Sequence, residues 1–190
     1  MIANEEAAWE IHQLLVNLNA AYAIIGGMAV QFWGEARFTK DVDLTVVVPI
    51  EHQERLLQAL IDRLPPRRED AIELARKHRI YLTQTSKGFP VDISIGLPGY
   101  EEELVARAVD YKLKTGHTVR LCSAEDLIIH KAVAGRPQDV YDIQGIIVRQ
   151  ASALDLSYIR TWLRIFSEWL ETDDVIDRFE QAWLKYGPAS

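Results

Sequence analysis

The stretch GGMAVQFWGEARFTKDVDL, residues 26–44, decides how this chain reads. Two adjacent glycines, Gly26 and Gly27, follow the apolar run Tyr22–Ile25. Thirteen intervening residues lead to Asp41 and Asp43, one residue apart, at the head of the apolar run VDLTVVV. The first run reads as a short strand ended by the glycines, and Met28–Trp33 as a short helix stopped by Gly34. Arg37–Val48 reads as the next strand, closed by Pro49. Its continuous apolar half suits a central strand covered on both faces.

Side chains alternate along a strand. A regular strand from Arg37 onward would therefore align Arg37, Thr39, Asp41 and Asp43 on one face. The other face would carry Phe38, Val42, Leu44, Val46 and Val48, with Lys40 as its polar member. Two carboxylates this close repel, and burial worsens the repulsion by stripping water from each. A hard divalent cation with oxygen ligands, Mg²⁺ above all, relieves it. A bare D-x-D also reads as two solvated aspartates at a strand end, paired with Lys40.

Two features bear on that choice. The first is Asp92, inside the β-type segment FPVDISIG. An aspartate among such residues is unusual unless it is paired or functional. It reads either as a partner of Arg79 or Lys87 across a hairpin, or as a third ligand. If its strand adjoins the D-x-D strand, three carboxylates converge into a two-metal constellation. The second feature is the glycine pair. Glycine lets backbone approach a ligand closely, and a helix N-terminus offers unpaired amides to an anion. The spacing GG-x₁₃-DxD sets a phosphate cradle and a metal site within one strand–helix–strand unit.

The rest of the chain supplies the frame. Residues 5–18 read as an amphipathic helix, with Ala8, Ile11, Leu14, Leu15 and Leu18 on one side. Residues 51–63 and 69–77 read as helices separated by Pro65-Pro66. Arg79–Thr85 and Phe89–Ile95 flank Ser86-Lys87-Gly88, a hairpin signal. Residues 100–109 read as a helix and His117–Leu121 as a short strand after Lys114-Thr115-Gly116. Ser123 caps a helix whose first turn holds Glu125 and Asp126. Gly135 and Pro137 end it, and residues 138–149, 155–170 and 173–186 follow as helices. The chain thus divides into a mixed part, residues 1–122, and a helical C-terminal part, residues 123–190, together an α+β fold.

Composition narrows the class. The 190 residues carry a net charge of −7 and are 26% charged. That balance disfavours broad adhesion to nucleic acid, while PPRRE (65–69) and Lys77-His78-Arg79 leave room for a local basic patch. No apolar run reaches the roughly 18 residues that span a bilayer. The acidic start MIANEEAAWEIHQLL is unlike a signal peptide. The single cysteine, Cys122, fits a reducing compartment, so a cytoplasmic location is expected. Five scattered histidines, none at metal-ligand spacing, argue against zinc. LSYIRTWLRIFSEWL (156–170) has an apolar face wider than one neighbouring helix needs. Core, a homodimer interface and a wall of an acceptor site are its three readings.

Taken together, Gly26-Gly27, Asp41-Val42-Asp43 and the downstream Asp92 resemble the signature of the nucleotidyltransferase superfamily with the DNA polymerase β-type fold. The version with R-x-T-x-DVDL looks most like minimal nucleotidyltransferases of the AbiEii toxin type. It is also similar to aminoglycoside and lincosamide nucleotidyltransferases. SAEDLIIHKAVAGRPQDVYDIQ (123–144), with Lys131, Asp139 and Asp142, strengthens the first comparison. The resemblance covers about residues 20–150.

The resemblance implies a polymerase β-like mixed sheet with flanking helices, followed by a helical segment. It implies attack of an acceptor hydroxyl on the α-phosphate of an NTP, with pyrophosphate leaving. Asp41, Asp43 and Asp92 would be the catalytic residues and the ligands of two Mg²⁺ or Mn²⁺ ions. Gly26, Gly27, Arg37, Thr39 and Lys131 would contact the nucleotide's phosphates. Arg37 also reads as a partner of Glu35 or Asp41, and Thr39 as an ordinary strand residue. Asp139 and Asp142, on one helix face, read as partners of Arg136, Arg149 or Lys131. The acceptor stays open between tRNA, protein and a small molecule of antibiotic type. A toxin of this type implies a cognate antitoxin. A catalytically silent, nucleotide-binding or antitoxin-like relative is the alternative, against which the intact triad speaks.

Overall fold

The structure is a computed structural model and describes residues 2–188. The chain forms two compact units. The first comprises Met1–Met28 and Phe38–Cys122, and the second Ala29–Arg37 and Ser123–Ser190.

The first unit is built on a six-stranded mixed sheet. Its strands are Ala21–Ile24 (β1), Val42–Val47 (β2), Ile80–Gln84 (β3), Pro90–Ile95 (β4), Val109–Lys112 (β5) and Thr118–Leu121 (β6). Their order is β3-β4-β2-β1-β6-β5. The β1–β6 and β2–β4 pairs are parallel and the others antiparallel. The central strand β2 buries Val42, Leu44, Thr45 and Val46, as its apolar run requires. The Ser86-Lys87-Gly88 turn joins β3 to β4, with Gly88 at φ +78°. The helices of this unit are Ile2–Asn17 (α1), Gln53–Ile61 (α3), Ala71–His78 (α4) and Tyr100–Ala106 (α5). Helix α1 buries Ala8, Ile11 and Leu15 and packs on β1 and β6.

Gly26–Trp33 (α2) begins in the first unit and runs into the second. The second unit continues with Ala124–Ala134 (α6), Pro137–Gln150 (α7), Leu156–Leu170 (α8) and Asp174–Tyr186 (α9). Ser123 caps α6: its hydroxyl accepts from Asp126 N at 3.0 Å. Gly135, at φ +63°, ends α6, and Pro137 opens α7, where a missing N–H costs nothing. Residues 29–37 are tied to α7. Arg149 donates to Gly34 O at 2.5 Å and Gln150 to Trp33 O at 2.8 Å. A Cβ on Gly34 would lie 3.0 Å from Ile146, so the chain after α2 needs a small residue there. Ile159 and Leu163 of α8 are buried in this unit, whereas Trp169 and Leu170 at its end are exposed.

Two elements differ from the sequence reading. The strand expected from Arg37 starts only at Val42. Residues 37–41 are drawn off by other partners: Gln31 donates to Arg37 O at 2.8 Å and Thr39 turns back on Asp41. Phe38, expected on a packed row, is 76% exposed. The helix expected over 100–109 stops at Ala106, and β5 follows it. Val109, Tyr111 and Leu113 do alternate with polar residues, but over too few positions to outweigh the helical pattern before them.

Candidate active site

The D-x-D sits where β2 begins. Asp43 is its second residue and Asp41 stands just ahead of it. Parallel pairing aligns Asp43 directly with Asp92 on β4. Neighbouring residues of the two strands, Val42, Leu44, Val91 and Ile93, are fully buried, so the aspartates hold the opposite face. All three carboxylates are half-buried, and one oxygen from each lies within 4.8 Å of the others.

Local contacts fix this arrangement. Thr39 is buried, and its hydroxyl donates to Asp41 Oδ1 at 3.0 Å and to Asp41 O at 3.2 Å. Ile25 N donates to Asp43 O at 2.8 Å, which brings the end of β1 against the D-x-D. Gly26 follows at φ +62°, a conformation that glycine adopts freely. A Cβ on Gly26 would fall 2.0 Å from Asp43 Oδ2. Glycine is therefore required here twice over, by the backbone and by the carboxylate that lies against it. Gly27 follows in the first turn of α2 and is buried.

Asp92 has a partner that the sequence reading did not assign. The Arg67 guanidinium donates to Asp92 Oδ1. The expected partners go elsewhere. Arg79 donates to Ile95 O at 2.9 Å and to Gln53, and Lys87 pairs with Glu6 at 2.7 Å. Burial pushes the Asp92 carboxyl above its ordinary range. Arg67 pulls it down and Asp41 pushes it up, and the net direction is upward. PPRRE was legible as a basic patch, but nothing in its pattern says that one arginine turns inward to an aspartate on another strand.

An all-carboxylate set suits a hard divalent cation. The three oxygens offered together, with Asp43 seated against a backbone that only glycine permits, fit such an ion.

The second unit holds an ionic cluster. Lys131 is 5% exposed, and its ammonium lies 2.8 Å from both Asp139 Oδ1 and Asp142 Oδ2. Arg37 makes a two-pronged bond to Asp142, with both distances 2.9 Å. Arg136 Nε meets Asp139 Oδ2 at 2.7 Å, and Gln138 donates to Asp142 Oδ1 at 3.1 Å. Burial alone would raise both carboxyls. Hydrogen bonds from Arg136 and Lys131 to Asp139, and from Arg37 and Lys131 to Asp142, outweigh it and hold both below the ordinary range. The helix face shared by Asp139 and Asp142 thus gathers Lys131 and Arg136, as expected, and Arg37 in addition. Arg149 is engaged by Gly34 instead.

Residues 14–181 match the family model described as nucleotidyl transferase AbiEii toxin, type IV toxin–antitoxin system. No curated protein matches the chain. Among solved structures, an antigenic nucleotidyltransferase-like protein from Paracoccidioides brasiliensis is 19% identical. It aligns over 98% of this chain and 94% of its own, with a TM-score of 0.53. A lincosamide antibiotic adenylyltransferase with lincomycin bound is 12% identical over 73% of this chain and 92% of its own, with a TM-score of 0.46. The antibiotic-resistance factor ANT(2'')-Ia is 17% identical over 94% of this chain and 92% of its own, with a TM-score of 0.45. With the family model spanning most of its length, and three carboxylates converging at a Gly-Gly turn, the chain belongs to the AbiEii nucleotidyltransferase family of the polymerase β-like superfamily.

Proposed function

We propose that this protein transfers the nucleoside monophosphate of an NTP to an acceptor hydroxyl and releases pyrophosphate. The observation that carries this reading is the convergence of Asp41, Asp43 and Asp92 beside Gly26. Asp41 and Asp43 are the side chains that would hold Mg²⁺ or Mn²⁺, and Asp92 stands beside them. When bound, the cation offsets the charge of the triphosphate. Thr39 fixes the direction of Asp41 by its hydroxyl. The amides that open α2 at Gly26-Gly27 offer donors to phosphate oxygens. Asp92 accepts the proton of the acceptor hydroxyl, a task suited to a carboxyl whose pKa burial has raised. The hydroxyl oxygen bonds to the α-phosphorus as the bond from that phosphorus to the β-phosphate oxygen breaks, and pyrophosphate leaves.

The family description supports a toxin role with a cognate antitoxin. The decisive assay incubates the protein with NTPs radiolabelled at the α-phosphate, against total RNA, lysate protein and an antibiotic panel. Label should move to one of these acceptors. Asp43→Ala should lower transfer by about 100-fold or more, the scale of a lost catalytic group. Transfer that survives Asp41→Ala or Asp92→Ala would overturn the assignment.

A further inference from the structure

Arg67 reaches Asp92 by a built route. The segment Leu64–Arg67, between α3 and α4, runs along β3 at the edge of the sheet. Pro66 bridges Thr83 in antiparallel fashion. Arg67 N donates to Leu82 O at 3.0 Å, and Gln84 N to Pro65 O at 3.3 Å. Thr83 Oγ1 donates to Pro65 O at 2.8 Å, and the fully buried Tyr81 donates its hydroxyl to Leu64 O at 2.7 Å. Pro65 and Pro66 stiffen the same segment by fixing φ. Register then completes the route. Leu82 stands opposite Asp92, and Asp92 stands opposite Asp43. Arg67, Leu82, Asp92 and Asp43 thus form one row across four neighbouring segments, and the row ends with a guanidinium on Asp92 Oδ1.

We propose that Arg67 is the resident counter-ion of Asp92 and stands in for one of two divalent cations, so that the nucleotide-free site takes a single divalent ion on Asp41 and Asp43. This rests on the nucleotidyltransferase reading above and revises the two ions that the resemblance implies. A guanidinium stays charged at every working pH and binds carboxylates in a fixed fork. On Asp92 it takes one carboxylate oxygen and repels a second cation. Paired ions in two-metal sites lie only about 3.5–4 Å apart, so a fixed cation on Asp92 competes with the second of them. The backbone bonds that hold Leu64–Arg67 to β3 keep the guanidinium from drifting away.

Mn²⁺ binding to the full chain without nucleotide tests this, with free Mn²⁺ read by electron paramagnetic resonance. The wild type should bind one ion. Arg67→Lys, which keeps the charge, should also bind one. Arg67→Met should bind two, or bind its first at least tenfold more tightly. Asp92→Asn should still bind one ion, because Asp92 is not needed for it, and this arm decides the matter should Arg67→Met fail to fold. Two ions in the wild type, loss of an ion in Asp92→Asn, or an unchanged count and affinity in Arg67→Met would each overturn the proposal. A wild type that binds no Mn²⁺, or one in which Asp43→Asn changes nothing, defeats instead the metal-site reading beneath it.

Discussion

Gly26 and Asp43 are one structural decision seen from two positions. Gly26 lies at φ +62°, and its missing Cβ leaves room for Asp43 Oδ2. Gly26→Ala therefore meets both left-handed strain, about 1–2 kcal/mol, and a clash that must move the carboxylate. The expected outcome is a lower urea midpoint together with loss of the Mn²⁺-induced thermal shift. An unchanged shift would show that Asp43 is not part of the ion site. Asp92 makes a different prediction, through its pKa. Burial raises its carboxyl above the ordinary value of 3.8, so the folded state binds that proton more tightly than the unfolded state. The associated stability is present below the ordinary value and is lost as pH rises through the shifted one. In chelator, Asp92→Asn should therefore gain stability relative to wild type as pH climbs out of the acidic range, while transferring no label. Thermal melts across a pH series measure this. A widening advantage for the wild type at neutral pH would mean that Arg67 more than repays the burial of Asp92.

At the scale of elements, α6 and α7 are joined by charge as much as by apolar packing. Lys131 of α6 faces Asp139 and Asp142 of α7, and all three are at least 95% buried. Without Lys131, Asp139 keeps Arg136 and Asp142 keeps Arg37, but each loses a buried charge-assisted hydrogen bond, worth about 1.5–3 kcal/mol. Lys131→Met should destabilise the protein on that scale in chemical denaturation. Adding Asp139→Asn and Asp142→Asn to it should recover none of the loss, since Arg136 and Arg37 then lose their carboxylate partners. If Lys131→Met is neutral, the cluster is not holding the two helices. The lowered pKa values of Asp139 and Asp142 carry the opposite sign to that of Asp92. Their stability is present above the ordinary carboxyl value and is lost as pH falls through their depressed values. The Arg37 guanidinium bonds Asp142, 105 residues away along the chain.

For the whole molecule, the first unit carries the carboxylates, and an ion bound there would stabilise only the folded chain. Mn²⁺ at about 100 times its dissociation constant should add about 2.7 kcal/mol, read as a rise in melting temperature that Asp43→Ala abolishes. No helix among the described residues is long and apolar enough to cross a membrane. What the sequence determined by itself was local. Alternation and apolar runs marked β1, β3, β4 and most of β2. Ser123, Gly135 and Pro137 marked the ends of helices, because caps and breakers act within a turn of their own position. The doublet of glycines and the three aspartates were legible as residue types suited to phosphate and metal. Only the tertiary structure decided that Asp92 lies beside Asp43, that Arg67 reaches Asp92, and that Arg37 turns to Asp142. Each of these depends on strand register or on a long side chain finding a distant charge. Register between β2 and β4 is set by how two buried faces pack and by the segments that cross between them, and a one-dimensional pattern carries no record of which strands will be neighbours.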